Sequence, residues 1–247
     1  MFKFYMRLLE LFSGTHSVGK AAKDLDIEVV SLDKDLGAHN DGYTSSNHIQ
    51  EDIMTWDYKV YDRNHFDIIS ASPVCMWWSQ ARMSWIGRKL KAHNGEIFTH
   101  ELKEKDIDTY GKPMVDKVFE IIEYFNPPCW WIENPKSSSM RHYINRDNVV
   151  VSYCMYGFDY KKDTRLWLSP QLQSVFKPKS CAMNNECGKM VMKEYRNKKD
   201  SEIKLRHIAD IGMFGGGGNR LHRYRIPQPL IKDLLECCIS IQNTTSL

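Results

Sequence analysis

The chain has 247 residues, of which 42% are hydrophobic and 26% charged. This predicts one globular domain and excludes collagen, low-complexity repeats and general disorder. No run of 18 apolar residues and no secretory signal is visible, so we expect neither a membrane span nor export. Seven scattered cysteines predict free thiols in a reducing compartment, which in a cell means the cytoplasm or nucleus.

Strands and helices alternate along the first 170 residues. Short apolar runs that end at turn signals predict strands, and apolar residues at helical spacing predict helices. The predicted strands cover residues 6–12, 27–32, 66–71, 130–132, 149–153 and 165–168, and the predicted helices cover 18–25 and 115–125. This alternation predicts an α/β fold around a mostly parallel sheet, with ligands at the carboxyl ends of the strands.

Three further segments break the pattern. Residues 80–112 are rich in Arg and Lys and predict a long mobile loop. Residues 171–219 are polar and basic and contain four consecutive glycines near their end, so they predict a small insert. Residues 226–241 carry a proline suited to a helix start and an apolar face, so they predict a helix that returns to the core. The predicted organisation is a core of 1–170, an insert of 171–219 and a C-terminal segment of 220–247.

Charge is unevenly distributed along the chain. Residues 177–225 hold twelve Lys or Arg against five acidic residues, although the net charge of the whole chain is only +3. A basic segment on a slightly acidic body favours a polyanionic partner such as nucleic acid. A solvated basic surface fits the same charges equally well.

A glycine turn follows the first predicted strand, at residues 12–19. Backbone N–H groups at such a strand–turn–helix junction can meet a small ligand, although a plain tight turn fits the same residues. Asp33 ends the next strand, where a carboxylate can accept hydrogen bonds from ribose hydroxyls. Asp52 and Ile53 follow at a similar edge, where an acid can bind an adenine amino group or cap a helix.

Two residues beyond strand ends suggest reactive groups. Cys75 follows the strand at 66–71, where a thiolate nucleophile would have the partial exposure it needs, although a lone cysteine is more often a core residue. Glu133 follows two tryptophans, and apolar surroundings can keep a carboxyl protonated, or it can bind a helix N-terminus. Trp77 and Trp78 predict one core ring and one ring that stacks on a base.

This motif series resembles the C5-cytosine methyltransferase family. The residues that carry the resemblance are Phe12-Ser13-Gly14, Asp33, Asp52-Ile53, Pro73-Val74-Cys75, Glu133-Asn134-Pro135, Cys154-Met155-Tyr156-Gly157-Phe158, Thr164-Arg165-Leu166-Trp167 and Arg225-Ile226-Pro227. They cover most of the chain outside the insert, and the ordered Pro-x-Cys and Glu-Asn pair is fairly specific. The compact form is similar to versions carried by phages and large DNA viruses.

The resemblance implies a Rossmann-like enzyme that uses S-adenosylmethionine to methylate cytosine C5. It implies Cys75 as the nucleophile that adds to cytosine C6, Glu133 as the contact to ring N3 and the amino group, and Arg165 as support for the base or the carboxylate. The implied cofactor site is lined by Phe12, Ser13, Gly14, Thr15, Asp33, Asp52, Ile53 and Pro73. We expect a monomer that acts on double-stranded DNA with the target base flipped out.

Four departures from the family pattern are visible. His16 stands where the family has a second glycine, which adds a side chain at the methionine end of the implied cofactor site. Pro-Val-Cys replaces Pro-Pro-Cys, and Glu-Asn-Pro replaces Glu-Asn-Val. The Gln-x-Arg-x-Arg element keeps only Arg165. His16 favours one alternative, a catalytically silent nucleic-acid-binding protein of the same fold. RNA cytosine methylation by the same chemistry is the other, because nothing in the sequence reads the 2′-hydroxyl that distinguishes RNA from DNA.

The insert is where such enzymes keep target recognition. At about fifty residues it can neutralise phosphates but offers few base-edge readers, so we predict a short target site or loose specificity. Cys181 and Cys187 lie in it, but two cysteines do not make a four-ligand zinc site, and we predict no metal. Cys237 and Cys238 are predicted to be core residues.

Overall fold

The computed structural model describes residues 5–35, 47–196, 201–209 and 224–245. The predicted glycine linker at 215–218 lies outside these residues. The strands are β1 Arg7–Leu11, β2 Glu28–Asp33, β3 His48–Gln50, β4 Ile68–Ala71, β5 Cys129–Pro135, β6 Val149–Ser152, β7 Asp163–Leu168, β8 Met190–Arg196 and β9 Ser201–His207. The helices are α1 Ser17–Lys23, α2 His100–Asp106, α3 Lys112–Phe125, α4 Pro170–Val175 and α5 Gln228–Thr245.

Seven strands form one sheet in the order β3-β2-β1-β4-β5-β7-β6. The first five are parallel, and β7 runs antiparallel to both of its neighbours. The predicted α/β fold with a mostly parallel sheet is confirmed. Successive strands run outward from β1 to β3 and then restart on the other side at β4, so β1 and β4 flank the switch point, where such sheets bind ligands.

The register brings four strand ends to one level. Leu11 pairs with Leu32 on one side and with Ala71 on the other, and Ala71 pairs with Ile132. The next residues therefore stand side by side along the carboxyl edge, and they are Phe12, Asp33, Ser72 and Glu133. This alignment places the ends of the predicted motifs next to one another.

Both faces of the sheet are covered, which is why its strands are mostly apolar and do not alternate between apolar and polar residues. One core contains residues of α1, α4 and α5, and the other contains residues of α3. Trp131 and Trp167 are fully buried, one in each core. Among the described residues, no helix combines the length and apolar character that crossing a membrane requires.

Residues 80–112 form a folded segment, so the predicted mobile loop is wrong. Helix α2 begins after Thr99, whose hydroxyl accepts the N–H of Leu102. Its buried residues are Lys103 and Asp106, and the Asp106 carboxylate pairs with the buried guanidinium of Arg82. Because α2 buries charged rather than apolar side chains, apolar periodicity could not reveal it.

The insert and the C-terminal segment take different forms. Strands β8 and β9 pair antiparallel as a hairpin separate from the main sheet. The C-terminal helix α5 packs onto α1 in the first core. At its start the Ile226 N–H donates to Ser17 Oγ at 3.1 Å, and Gln228 Nε2 donates to the Ser17 carbonyl at 2.8 Å. The chain end is thereby tied to the helix that follows the glycine turn.

Candidate active site

The segment that carries Cys75 is joined directly to the end of β5. Cys75 is half-buried in a turn just beyond β4, and its carbonyl accepts the N–H of Trp78 at 3.2 Å. The buried Asn134 amide donates through Nδ2 to the carbonyl of Pro73 at 2.9 Å. This bond links the Pro-x-Cys and Glu-Asn segments, which are distant in sequence and lie at adjacent strand ends.

Glu133 is buried at the carboxyl end of β5, with two side chains at one of its oxygens. The Tyr153 hydroxyl donates to Glu133 Oε1 at 3.0 Å, and Lys162 Nζ lies 3.8 Å from the same oxygen. Burial, together with the Glu133 carboxylate, raises the pKa of Tyr153 well above its ordinary value, so the hydroxyl remains a donor.

Sequence reasoning did not single out Tyr153 or Lys162. Lys162 Nζ also lies 4.6 Å from the centre of the Tyr153 ring, so the two side chains form one group around the carboxylate. The available signals were weak, because both residues only neighbour segments that the resemblance identified.

Arg165 is not brought to Glu133. It pairs with Asn134 across β5 and β7, so its side chain lies on the opposite face of the sheet from that of Glu133. Its guanidinium donates to the Asn148 side-chain oxygen. Burial, and secondarily Arg141, lowers the pKa of Arg165. The cation near the Glu133 carboxylate is Lys162.

The two tryptophans after Cys75 differ in burial. Trp78 is buried and stacks on Tyr143, with ring centres 5.6 Å apart. A Cβ added at Gly111 would lie 3.0 Å from the Trp78 indole, so a side chain there would have to displace the ring slightly. Trp77 is half-buried and stacks on Tyr110 at 4.7 Å. Trp78 is therefore the core ring, and Trp77 is the candidate for stacking on a base.

The glycine turn has an unusual backbone and a buried hydroxyl. Phe12, Gly14 and His16 all have positive φ, at 58°, 44° and 52°. The Gly14 N–H donates to Asp33 Oδ2 at 2.8 Å, which joins the turn to the end of β2. The buried Ser13 hydroxyl has no hydrogen-bond partner within the part of the chain that the structure describes. An unsatisfied buried hydroxyl near a half-buried carboxylate fits a polar ligand.

The His16 side chain is directed into a buried polar cluster on the α1 side of the sheet. Its Nδ1 lies 3.9 Å from Glu10 Oε2, and its ring centre lies 5.1 Å from that of His48. Glu10 also accepts the N–H groups of Val18 and Gly19 at the start of α1. The imidazole therefore packs against β1 and β3.

Asp52 caps a turn. Its Oδ1 accepts the Met54 N–H at 3.0 Å, and its Oδ2 lies 2.9 Å from Lys34 Nζ. The hydrogen bond and charge of Lys34 lower the pKa of Asp52. Ile53 is buried beside it. The carboxylate thus makes the capping contact that was the alternative to adenine binding, beyond the end of β3.

Thr15 and Pro73 are fixed by contacts behind the carboxyl edge. The Thr15 hydroxyl lies 2.8 Å from Ser17 Oγ, which also contacts the start of α5. Pro73 is fixed through the Asn134 bond to its carbonyl. Thr15 lies in the turn after β1, and Pro73 lies just beyond the end of β4.

Comparisons with known proteins give one relative of similar length. No protein-family model matches the chain. The chain is 35% identical over 243 residues to the probable DNA (cytosine-5)-methyltransferase of Frog virus 3 (isolate Goorha), an alignment that covers 94% of this chain and 100% of that protein.

Similar solved structures are longer than this chain. The S. pombe Dnmt2 methyltransferase has a TM-score of 0.44 and 16% identity, over 66% of this chain and 50% of that one. The Entamoeba histolytica methyltransferase EhMeth has a TM-score of 0.47 and 13% identity, over 80% of this chain and 62% of that one. The chain thus spans half to just under two thirds of these two proteins.

Proposed function

The chain belongs to the DNA (cytosine-5)-methyltransferase family, and from this premise we propose that it methylates cytosine C5 in double-stranded DNA through a covalent adduct with Cys75. The observation that carries this proposal is the hydrogen bond from Asn134 to Pro73. It couples the segment of the proposed nucleophile to the strand end that presents Glu133, beside the switch point of the sheet.

Cys75 would begin the reaction as a thiolate. Its sulfur forms a bond to cytosine C6, and the electron pair of the C5–C6 double bond becomes available at C5, a carbon that is otherwise a poor nucleophile. After C5 has been methylated, a base removes the C5 proton. The electrons of that C–H bond restore the double bond as the C6–S bond breaks, which returns the thiolate. The partial exposure of Cys75 suits this role.

Glu133 would hold the ring during the addition. Its carboxyl contacts N3 and the amino group of cytosine and favours protonation at N3 as the sulfur adds. Since Tyr153 and Lys162 both approach Oε1, we expect the base to meet Oε2. In place of Arg165, we assign the supporting cation to Lys162. Arg165 would instead brace the neighbouring strands through Asn148.

S-adenosylmethionine would supply an electrophilic methyl group from its sulfonium sulfur, which would keep the electrons of the broken S–CH3 bond and become a neutral thioether. The buried Ser13 hydroxyl fits a polar group of this cofactor, and Asp33 keeps lone pairs for ribose hydroxyls while it accepts the Gly14 N–H. Phe12, Gly14, Thr15 and Pro73 would line the site at the ends of β1 and β4. Asp52 and Ile53 would lie at the adenine end.

Double-stranded DNA would contact the β8–β9 hairpin. The register places Lys193 opposite Lys204, and Arg206 on the same face of the ribbon. The major groove of B-DNA is wide enough for a two-stranded ribbon of this kind. Cytosine inside a duplex is out of reach of a thiolate, so the target would be flipped out. The half-buried Trp77, which stacks on Tyr110, would stack on the displaced base with its other face.

The test is to incubate the full chain with labelled S-adenosylmethionine and matched duplex DNA and structured RNA, and to map the modified base. We expect label at C5 of cytosine in DNA. Label confined to RNA would overturn the substrate assignment, and the absence of both cofactor binding and transfer would support the silent alternative.

Duplexes that carry 5-fluorocytosine test the adduct separately. Fluorine cannot leave as a proton, so the enzyme should remain bound to the base through a bond that survives denaturation. Cys75→Ser should form no such complex, whereas Cys237→Ser, a change at a half-buried thiol on α5, should form it as the wild type does. Trapping by Cys75→Ser would contradict the mechanism.

A further inference from the structure

Four potential metal ligands from separate parts of the chain meet at the base of the hairpin. Cys154 lies in the short helical turn after β6, Cys181 and Cys187 lie between α4 and β8, and His207 is the last residue of β9. Their ligand atoms all lie within 4.8 Å of one another. We predicted no metal from Cys181 and Cys187 alone, because Cys154 lies outside the insert and His207 is separated from the two cysteines by most of the β8–β9 hairpin.

The distances suit a tetrahedral ion. Cys181 Sγ lies 4.0 Å from Cys187 Sγ, and the two sulfurs lie 3.7 and 3.6 Å from His207 Nε2. Around a zinc ion with ordinary bond lengths, two sulfurs would be about 3.8 Å apart, and a sulfur and a nitrogen about 3.6 Å apart. These three ligand atoms are therefore close to their zinc-bound spacing, and Cys154 Sγ, which lies within 4.8 Å of each of them, would move closer to complete the set.

Burial and hydrogen bonds hold the cluster in place, as expected for a metal site. Cys154, Cys181 and His207 are buried, with 1%, 5% and 5% of their surfaces exposed. The Met183 N–H points to Cys181 Sγ at 3.4 Å, a contact that favours a thiolate. The Cys181 N–H in turn donates to Ser152 Oγ at 2.9 Å, which fixes the loop to the end of β6.

We propose that Cys154, Cys181, Cys187 and His207 bind one zinc ion as a closed structural site. Thiolate and imidazole ligands select zinc, and four protein ligands leave no position for water or substrate. This site is separate from the proposed reaction, and it requires neither cofactor nor nucleic acid.

A zinc ion would stabilise the β8–β9 hairpin. A two-stranded ribbon is marginally stable alone, and β8–β9 exposes large apolar residues such as Met192 (64%) and Ile203 (65%). Zinc would fix the base of the hairpin to Cys154, which directly follows Tyr153. Since Tyr153 binds Glu133, the ion would also set the position of the hairpin relative to the proposed reaction site.

Metal binding by the intact chain tests this proposal directly. The chain, purified under reducing conditions and stripped of metal, is titrated with Co²⁺ and then with Zn²⁺. We expect one equivalent of Co²⁺, with the sulfur charge-transfer bands and strong visible bands of tetrahedral thiolate coordination, and displacement by Zn²⁺. A wild-type chain that binds no Co²⁺ through thiolate would overturn the proposal.

Two half-buried cysteines provide a matched pair of variants. Cys187→Ser should lose at least roughly tenfold in metal affinity, whereas Cys237→Ser should bind as the wild type does. Equal binding by Cys187→Ser, or equal loss in both variants, would overturn the assignment. So would a Cys181–Cys187 disulfide in peptide maps of the freshly purified chain, since the two sulfurs would then form a redox pair. If Cys187→Ser does not fold, the wild-type titration still decides the matter.

Discussion

The two halves of the carboxyl edge hold their predicted functional residues in different ways. At the ends of β1 and β2, the predicted Asp33 carboxylate is itself hydrogen-bonded to the backbone N–H of Gly14. At the ends of β4 and β5, the bracing is done by Asn134 and Tyr153, while Cys75 and Glu133 are the proposed reacting groups. We call the ends of β1 and β2 the proposed cofactor half, where Asp33 would serve both the fold and the ligand, and the ends of β4 and β5 the proposed reaction half, where different residues would take the two tasks.

The sharpest test of this division is Cys75→Ser. We expect methyl transfer to fall by on the order of a thousandfold or more, because the hydroxyl is a far weaker nucleophile than the thiolate. Calorimetric affinity for S-adenosylmethionine and the thermal midpoint should stay at their wild-type values. A comparable loss of cofactor affinity would show that the two halves are not separable.

Asp33→Ala should lower both cofactor affinity and stability, the two properties that Cys75→Ser is expected to leave unchanged. Loss of a charged acceptor is expected to weaken cofactor binding by about 10- to 100-fold and to lower the free energy of unfolding by roughly 1.5–3 kcal/mol. Both follow from the one carboxylate, because it also accepts the Gly14 N–H. Asp57→Ala is the control, since Asp57 accepts the Lys59 N–H at a surface turn elsewhere. Weakened binding without loss of stability would contradict the double role.

Asn134→Ala should slow transfer without weakening cofactor binding. Its side chain holds Pro73 from a buried position, and leaving that carbonyl unsatisfied should misplace the Cys75 segment. We expect the rate to fall about tenfold, with a lower thermal midpoint. Single-turnover rates and calorimetry separate the two quantities. Unchanged single-turnover rates would show that the bond does not position the nucleophile.

Mild acid should lower the free energy of unfolding through His48, and this is the smallest of the four predicted effects. Burial, and secondarily His16, lowers the pKa of His48, while Asp33 and Glu10 oppose this shift. The native state then binds fewer protons than the unfolded state below the ordinary imidazole value of 6.5. Stability is therefore complete above that pH and falls as pH drops below it.

Urea unfolding at about pH 7.5 and pH 5.5 measures this loss of stability. His48→Gln should lose less stability than the wild type over the same interval. His65, whose pKa burial also lowers, titrates in both proteins and does not affect the difference between them. An equal loss in both proteins would exclude His48 as a source of the dependence.

Sequence patterns were informative where apolar residues determine the structure. Strands β1, β2, β4 and β5 are mostly apolar because both faces of the sheet are buried, although single polar residues such as Glu10 and Ser31 are buried within them. The strand ends coincide with the motifs. Strand β5 nevertheless continues to Pro135, since it pairs there with Thr164 of β7. A proline at the end of a strand interrupts the ladder less than local turn signals suggest.

The parts that sequence reasoning missed depend on contacts between distant polar residues. Helix α2 buries Lys103 and Asp106, so it lacks an apolar stripe. The ligand cluster requires Cys154 to meet His207, and no spacing rule joins two residues so far apart. Lys162 reaches Glu133 only because β7 returns antiparallel beside β5.

The contact between Gly111 and the Trp78 indole links substitutions in the helical segment Ile107–Gly111, between α2 and α3, to the turn that carries the Cys75 thiol. Any side chain at Gly111 would press on the indole. The backbone N–H of Trp78 donates to the Cys75 carbonyl, and the Trp78 carbonyl accepts the backbone N–H of Ser139. In a saturation library, position 111 would therefore rank with the residues around the proposed nucleophile. A map of mutational sensitivity would then show position 111 to be as sensitive as the segment that carries Cys75, through its contact with Trp78.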